Sequence, residues 1–88
     1  MTNKQVAERW IIGKADCHTV NMLYENNTIY SMNYQFPIAT IKGKIVYFNN
    51  TKHSRTATKH QKCVRGIIPA RYNIIFVTTE KLKELLNM

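Results

Sequence analysis

Arg55, Lys59 and Lys62 recur at i, i+4 and i+7, with Thr58 between them and Arg65 just beyond. That spacing puts cations on one side of an α-helix. A stripe of this kind neutralises phosphates and releases counterions, which gives affinity for a phosphodiester backbone without base preference. The hydroxyls of Thr56 and Thr58, and the helix start at Ser54, add hydrogen-bond donors for phosphate oxygens. Upstream stand Lys42, Lys44, Lys52 and His53, and downstream Arg71, so residues 26 to 79 hold eight Lys and Arg and no Asp or Glu. His53 and His60 would join them when charged below about pH 6.5. The stretch reads as one basic surface made of Lys42, Lys44, Lys52, His53, Arg55, Thr58, Lys59, Lys62 and Arg65. A solvated face that only maintains solubility is the plainer reading of a charge run. The absence of carboxylates argues against it, because a surface built for solubility intersperses both signs.

Other chemistries fit these residues less well. Tyr24, Tyr30, Tyr34, Tyr47 and Phe48 fall on predicted strands and could stack on unpaired bases. Their alternate spacing is more simply that of a core face, and their order matches no RNA-recognition or cold-shock signature. Cys17, His18, His53, His60 and Cys63 are possible zinc ligands, but adjacent Cys17 and His18 point to different sides of an extended chain. Burial of Cys63 as a small hydrophobe, with His60 hydrogen-bonded on the inner helix face, accounts for them more simply. Nuclease or transferase chemistry generally uses clustered carboxylates, which residues 26 to 79 lack. Phosphodiester cleavage by His53 and His60 with Arg55 and Lys59 needs no metal and is the weakest of these readings. Without a Gly-rich phosphate loop or a nucleophile elbow, the sequence points to a binding protein and not to an enzyme, with no cofactor and no metal.

The elements that must carry the basic face follow from periodicity. Val20, Met22 and Tyr24 alternate with polar residues, Ile29 to Met32 follows, and Asn26-Asn27 tolerates the left-handed backbone of a tight turn. Pro37 to Ile41 and Ile45 to Phe48 flank Lys42-Gly43-Lys44, where Gly43 supplies a positive φ, so a second hairpin extends a meander. Pro37, which donates no ladder hydrogen bond, should start its strand or sit on an edge. Taking Ser54 as N-cap, Ala57, His60, Val64 and Ile67 fall on one helical face, which predicts a packed helix over about 54–65 ending near Gly66. Arg71 to Thr78 contains Tyr72, Ile74, Ile75, Phe76 and Val77 and reads as a buried strand. Thr78 or Thr79 then caps a C-terminal helix through Leu82, Leu85 and Leu86. A short helix over 3–12, with Val6 and Trp10 inward, precedes them all.

The whole chain has 88 residues, a formal charge of +8, 44% hydrophobic residues and two cysteines. That size suits one α+β domain over residues 1–88 with a modest core, and excludes a two-domain enzyme. Two distant cysteines are not the framework of a small secreted domain, and Met1 to Trp10 lacks the apolar run of a signal peptide. A reducing cytosol, with no membrane anchor, is the expected location.

Two stretches resemble a family. Asn33-Tyr34-Gln35-Phe36-Pro37-Ile38-Ala39 is similar to a Ser-Tyr-x-Thr-x-Ile-Ala segment, and Ser54-Arg55-Thr56-Ala57-Thr58-Lys59-His60 to a Ser-Arg-Thr-Thr-x-x-His segment. Both belong to a family of small proteins of unknown function in bacteriophages and mobile elements of Gram-positive and gut bacteria. The resemblance covers roughly residues 19 to 65, the second segment being the more specific. Asn33, Phe36, His53 and Ala57 depart from the family pattern, which has Ser, Thr, Tyr and Thr there. What the resemblance implies is context: an accessory phage protein working in the cytoplasm of a bacterial host, where such proteins often inhibit defence systems in the manner of anti-CRISPR proteins. The expected partner is therefore nucleic acid or a host nucleoprotein complex. The alternative is an inhibitor that docks on an acidic or nucleic-acid-binding groove of a host defence protein.

Overall fold

The computed structural model describes residues 2–13, 17–18, 22–31, 36–52 and 54–87, with backbone alone for 17 and 18. The chain is α+β. Helix α1 (Asn3–Ile12) is followed by strands β1 (Cys17–His18), β2 (Met22–Glu25), β3 (Thr28–Ser31), β4 (Phe36–Lys42) and β5 (Ile45–Asn49). Helix α2 (Arg55–Ile67), strand β6 (Asn73–Val77) and helix α3 (Thr79–Leu86) complete it. The strands form one sheet in the order β1-β2-β3-β4-β5-β6. Neighbours are antiparallel through β5, and β6 returns parallel to β5 with α2 as the crossover. The expected meander is present, lengthened by β1, which periodicity over two residues cannot reveal.

Local chemistry fixes the turns. Asn26 and Asn27 both adopt positive φ, 51° and 66°, and close the two-residue turn between β2 and β3, the conformation that twisted hairpins favour. Gly43, at φ 63°, opens the corresponding turn between β4 and β5. Helix α1 starts with a reciprocal capping box between Thr2 and Gln5 and stops at Gly13 in the left-handed conformation. Val20, Met32 and Tyr34 lie outside the described residues.

Pro37 lies in an interior strand, at its second position. The structure tolerates it because the ladder to β5 begins only at Ala39, paired with Phe48, and because Ile38 is skipped as a bulge between the Tyr30–Pro37 and Ile29–Ala39 pairs. The Pro37 carbonyl accepts from the side-chain amide of Asn49 at 2.9 Å.

The sheet buries both faces. On one, Val6, Ala7, Trp10 and Ile11 of α1 and Ala57 and Val64 of α2 pack over Met22, Tyr24, Ile29, Phe36, Ile38, Val46 and Phe48. Trp10 is fully buried, its indole donating to the Asn27 carbonyl at 2.9 Å, so it presents nothing to a partner. On the other face α3 lies over β4 and β5 with Leu82 fully buried.

The strand expected to be buried at residues 71 to 78 is instead the outer edge of the sheet. Ile75 is 43% exposed and Phe76 53%. A continuous apolar run signals burial on both faces only when helices cover both, and here α2 packs on α1 and β4 while α3 packs on β4 and β5.

Candidate nucleic-acid interface

Helix α2 carries the basic stripe because Ser54 starts it cleanly. The Ser54 hydroxyl accepts from the Ala57 amide at 3.0 Å, and its carbonyl accepts from the Thr58 amide at 2.9 Å and the Thr58 hydroxyl at 2.8 Å. Ala57, His60 and Val64 then turn inward, with Gln61 beside them. Arg55, Lys59, Lys62 and Arg65 are all exposed. At about 1.5 Å rise per residue they form a track roughly 15 Å long. Among the described residues none of the four, nor Lys52, pairs with a carboxylate; the described ion pair is Lys81–Glu84 on α3, at 3.7 Å.

The loop ahead of the helix is held from below. Asn49, fully buried, donates to Pro37 O and to the Thr79 hydroxyl, while its side-chain oxygen accepts from the Thr51 amide. Gln61 reaches back from α2 to the carbonyls of Asn49 and Thr51 at 2.7 and 3.0 Å. The Thr51 hydroxyl in turn accepts from the Thr79 amide at 3.1 Å. These bonds fix residues 49–51, and through them Lys52, against the start of α2. Neither Asn49 nor Gln61 stands out in the sequence, since an Asn-Asn-Thr segment reads as a loop and a helical Gln as solvated.

Two open depressions flank the track. One, of about 410 Å³, is lined by Lys52, Ser54, Arg55, Thr58 and Lys59. The other, of about 330 Å³, lies between α2 and the sheet edge, with Phe48 and Phe76 facing Thr58, Lys62 and Arg65. Thr58 borders both, so they adjoin. Its hydroxyl proton is committed to Ser54 O, so Thr58 offers a ligand an acceptor and not the expected donor.

The single surface expected from the sequence is divided. Lys42 turns to the α3 face, where its ammonium donates to Leu85 O at 3.2 Å and meets the negative end of that helix. Lys44 lies in the β4–β5 turn, its carbonyl accepting from the Asn73 amide. It is at the far end of β5 from Lys52, about 17 Å away for five residues of strand. His53 falls outside the described residues. His60 does not contribute charge: it is 5% exposed, its Nδ1 lies 2.6 Å from the Ser31 hydroxyl, and burial lowers its pKa from the ordinary 6.5. Lys52, Arg55, Lys59, Lys62 and Arg65 remain together.

The buried Ser31–His60 pair has the partners of an activated nucleophile but no solvent access, since Ser31 is 1% exposed. The phosphodiester-cleaving role considered for His60 has the same obstacle. Cys63 is a free, half-buried thiol whose pKa is raised, chiefly by burial, with Lys4 lowering it and Glu8 raising it. Burial therefore favours its protonated form. Among the described residues no three His, Cys, Asp or Glu cluster as metal ligands.

The aromatic residues considered for stacking are placed otherwise. Tyr24 and Phe48 are buried, Tyr30 and Tyr47 are half-buried, and among the described residues the exposed ring is Phe76. Of the two family-like segments, Asn33, Tyr34 and Gln35 lie outside the described residues; Phe36, Ile38, Ala39, Ala57 and His60 are buried and Ser54 is a helix cap.

No protein-family model, curated protein or solved structure matches the chain. Among the described residues no helix is long and apolar enough to cross a membrane.

Proposed function

We propose that the chain is a small phage-type accessory protein of the bacterial cytoplasm that binds nucleic acid, free or displayed on a nucleoprotein complex, and catalyses no reaction. The outer face of α2 is the binding surface. One observation carries this reading: four exposed cations on a track of roughly 15 Å, continued by Lys52, without a described carboxylate partner. With phosphates of one strand spaced about 3.4 Å along a duplex axis, such a track faces about four of them. Backbone contacts of this type give affinity and register, while shape sets any preference.

Binding of nuclease-treated protein to labelled oligonucleotides tests the reading. The wild type binds, and simultaneous Arg55→Glu, Lys59→Glu and Lys62→Glu abolishes binding with the thermal transition retained. Unchanged binding by the triple variant rules this surface out.

A second reading, an inhibitor of a host defence protein of the anti-CRISPR type, is favoured by the outer edge of β6, which no described strand covers. Capture of host partners after thorough nuclease treatment separates the two. Partners retained by the wild type and lost on changing Ile75 and Phe76 support protein docking, and partners lost with the nuclease support nucleic acid.

A further inference from the structure

We propose that the depression between α2 and β6 seats an unpaired nucleobase, stacked on Phe76, so that the protein prefers single-stranded to duplex nucleic acid. This rests on the reading of α2 as a phosphate-binding face and names the form of nucleic acid that face receives. Phe76 is a large apolar ring left 53% exposed on an otherwise basic side of the molecule. It is held in place rather than loose: its ring meets that of Phe48 edge-on, with centroids 6.0 Å apart and planes at 79°. The Arg65 guanidinium lies over the ring, 6.0 Å from its centroid, and Lys62 shares the rim. The pocket therefore joins a flat π surface to two cations, and its neighbour past Thr58 carries Lys52, Arg55 and Lys59.

A nucleotide in a single strand has the matching parts. Its base stacks on Phe76 and displaces the Arg65 guanidinium from over the ring to the phosphates, which Lys62 also meets, and the strand continues over Thr58 toward Lys59. Arginine suits the rim because its planar guanidinium both stacks on rings and binds phosphate. A base inside a duplex is stacked on its own neighbours and reaches the ring only at the cost of unstacking. A second copy of this chain is disfavoured at the same place, since its net charge of +8 meets Lys62, Arg65 and the rest of the α2 track.

The test measures binding of the full chain to labelled oligothymidine, oligouridine and a mixed-sequence duplex of equal length, at about 0.1 M salt. Wild type, Phe76→Leu, Phe76→Trp and the Lys59→Glu/Lys62→Glu pair are compared, with sedimentation of each. The expected result is single-strand binding roughly tenfold tighter than duplex binding, and a loss of roughly 5- to 100-fold on single strands alone for Phe76→Leu. Phe76→Trp restores the preference, and the salt slope of Phe76→Leu stays that of the wild type. Equal affinity for single strands and duplex, or a Phe76→Leu variant that binds like the wild type while the lysine pair does not, overturns the base seat and leaves the phosphate-binding face standing. Binding to none of the oligonucleotides overturns both. A wild-type dimer lost in Phe76→Leu, with oligonucleotide affinity unchanged, assigns the ring to a second copy instead.

Discussion

Helices α2 and α3 cover opposite faces of one sheet, and each begins on a hydroxyl cap, Ser54 or Thr78, yet their outer surfaces differ. Helix α3 alternates signs: Glu80 sits in the first turn, where the helix dipole favours an acid, and Lys81 pairs with Glu84 at 3.7 Å. Helix α2 begins with Arg55 against the same dipole, has no acid in its first turn, and sets Arg55, Lys59, Lys62 and Arg65 at repelling i,i+4 and i,i+3 spacings, with the dipole favouring only Arg65 in the last turn. Folding alone would choose the α3 arrangement. The α2 arrangement costs local stability and returns it only when something negative lies alongside, which is the reason for assigning the partner to that helix.

The comparison is broken most severely by charge reversal. Arg55→Glu with Lys59→Glu and Lys62→Glu is expected to weaken nucleic-acid binding by at least ~100-fold at moderate salt, whereas Lys81→Glu with Lys83→Glu on α3 changes it by less than about threefold. Fluorescence anisotropy of labelled oligonucleotides measures both, and equal losses would make the attraction a matter of net charge alone.

Next comes the residue that ties the two helices together. Asn49 donates to Thr79 at the start of α3, and its carbonyl accepts from Gln61 of α2. Asn49→Ala leaves buried partners unsatisfied and is expected to cost about 2 to 3 kcal/mol in urea unfolding. A loss below about 0.5 kcal/mol would show that the loop does not depend on it.

A pH dependence attaches to His60 of α2. His60 has a folded pKa below 6.5 because burial disfavours its charged form. The unfolded chain therefore takes up the proton first, and stability, complete above about pH 6.5, falls as pH drops from there toward the lower folded value. Replacing Ser31 with Ala and His60 with Leu together should flatten unfolding free energy across that window. An unaltered slope would place the titration elsewhere.

The smallest effects come from the caps. Ser54→Ala and Thr78→Ala should each cost about 1 kcal/mol of stability, but only Ser54→Ala should also weaken binding, by a few-fold, because it loosens the turn that presents Arg55. Paired melting and binding measurements separate the two.

Much of the scaffold is legible in the residues. Asn26-Asn27 and Gly43 mark their turns, Ser54 and Thr78 their helices, and the spacing of Ala57, His60 and Val64 sets which side of α2 faces out. These are local signals, each written within a few residues of the feature it produces. What escapes depends on partners distant in the chain. Lys42 turns toward Leu85, His60 pairs with Ser31, and Gln61 holds Asn49 and Thr51. Phe76 is exposed because α2 and α3 pack mainly on α1, β4 and β5 rather than on β6, and an apolar run looks the same whether covered or not. The basic stripe is therefore legible in the sequence, whereas the exposure of Phe76 beside it is set by the fold.

The central claim is that the α2 face binds a phosphodiester backbone, and its most direct test is the salt dependence of oligonucleotide affinity. Log affinity is expected to fall with log salt at a slope of about −3 to −5, as four to six neutralised phosphates require. A slope near zero, or no measurable binding at low salt, would contradict it.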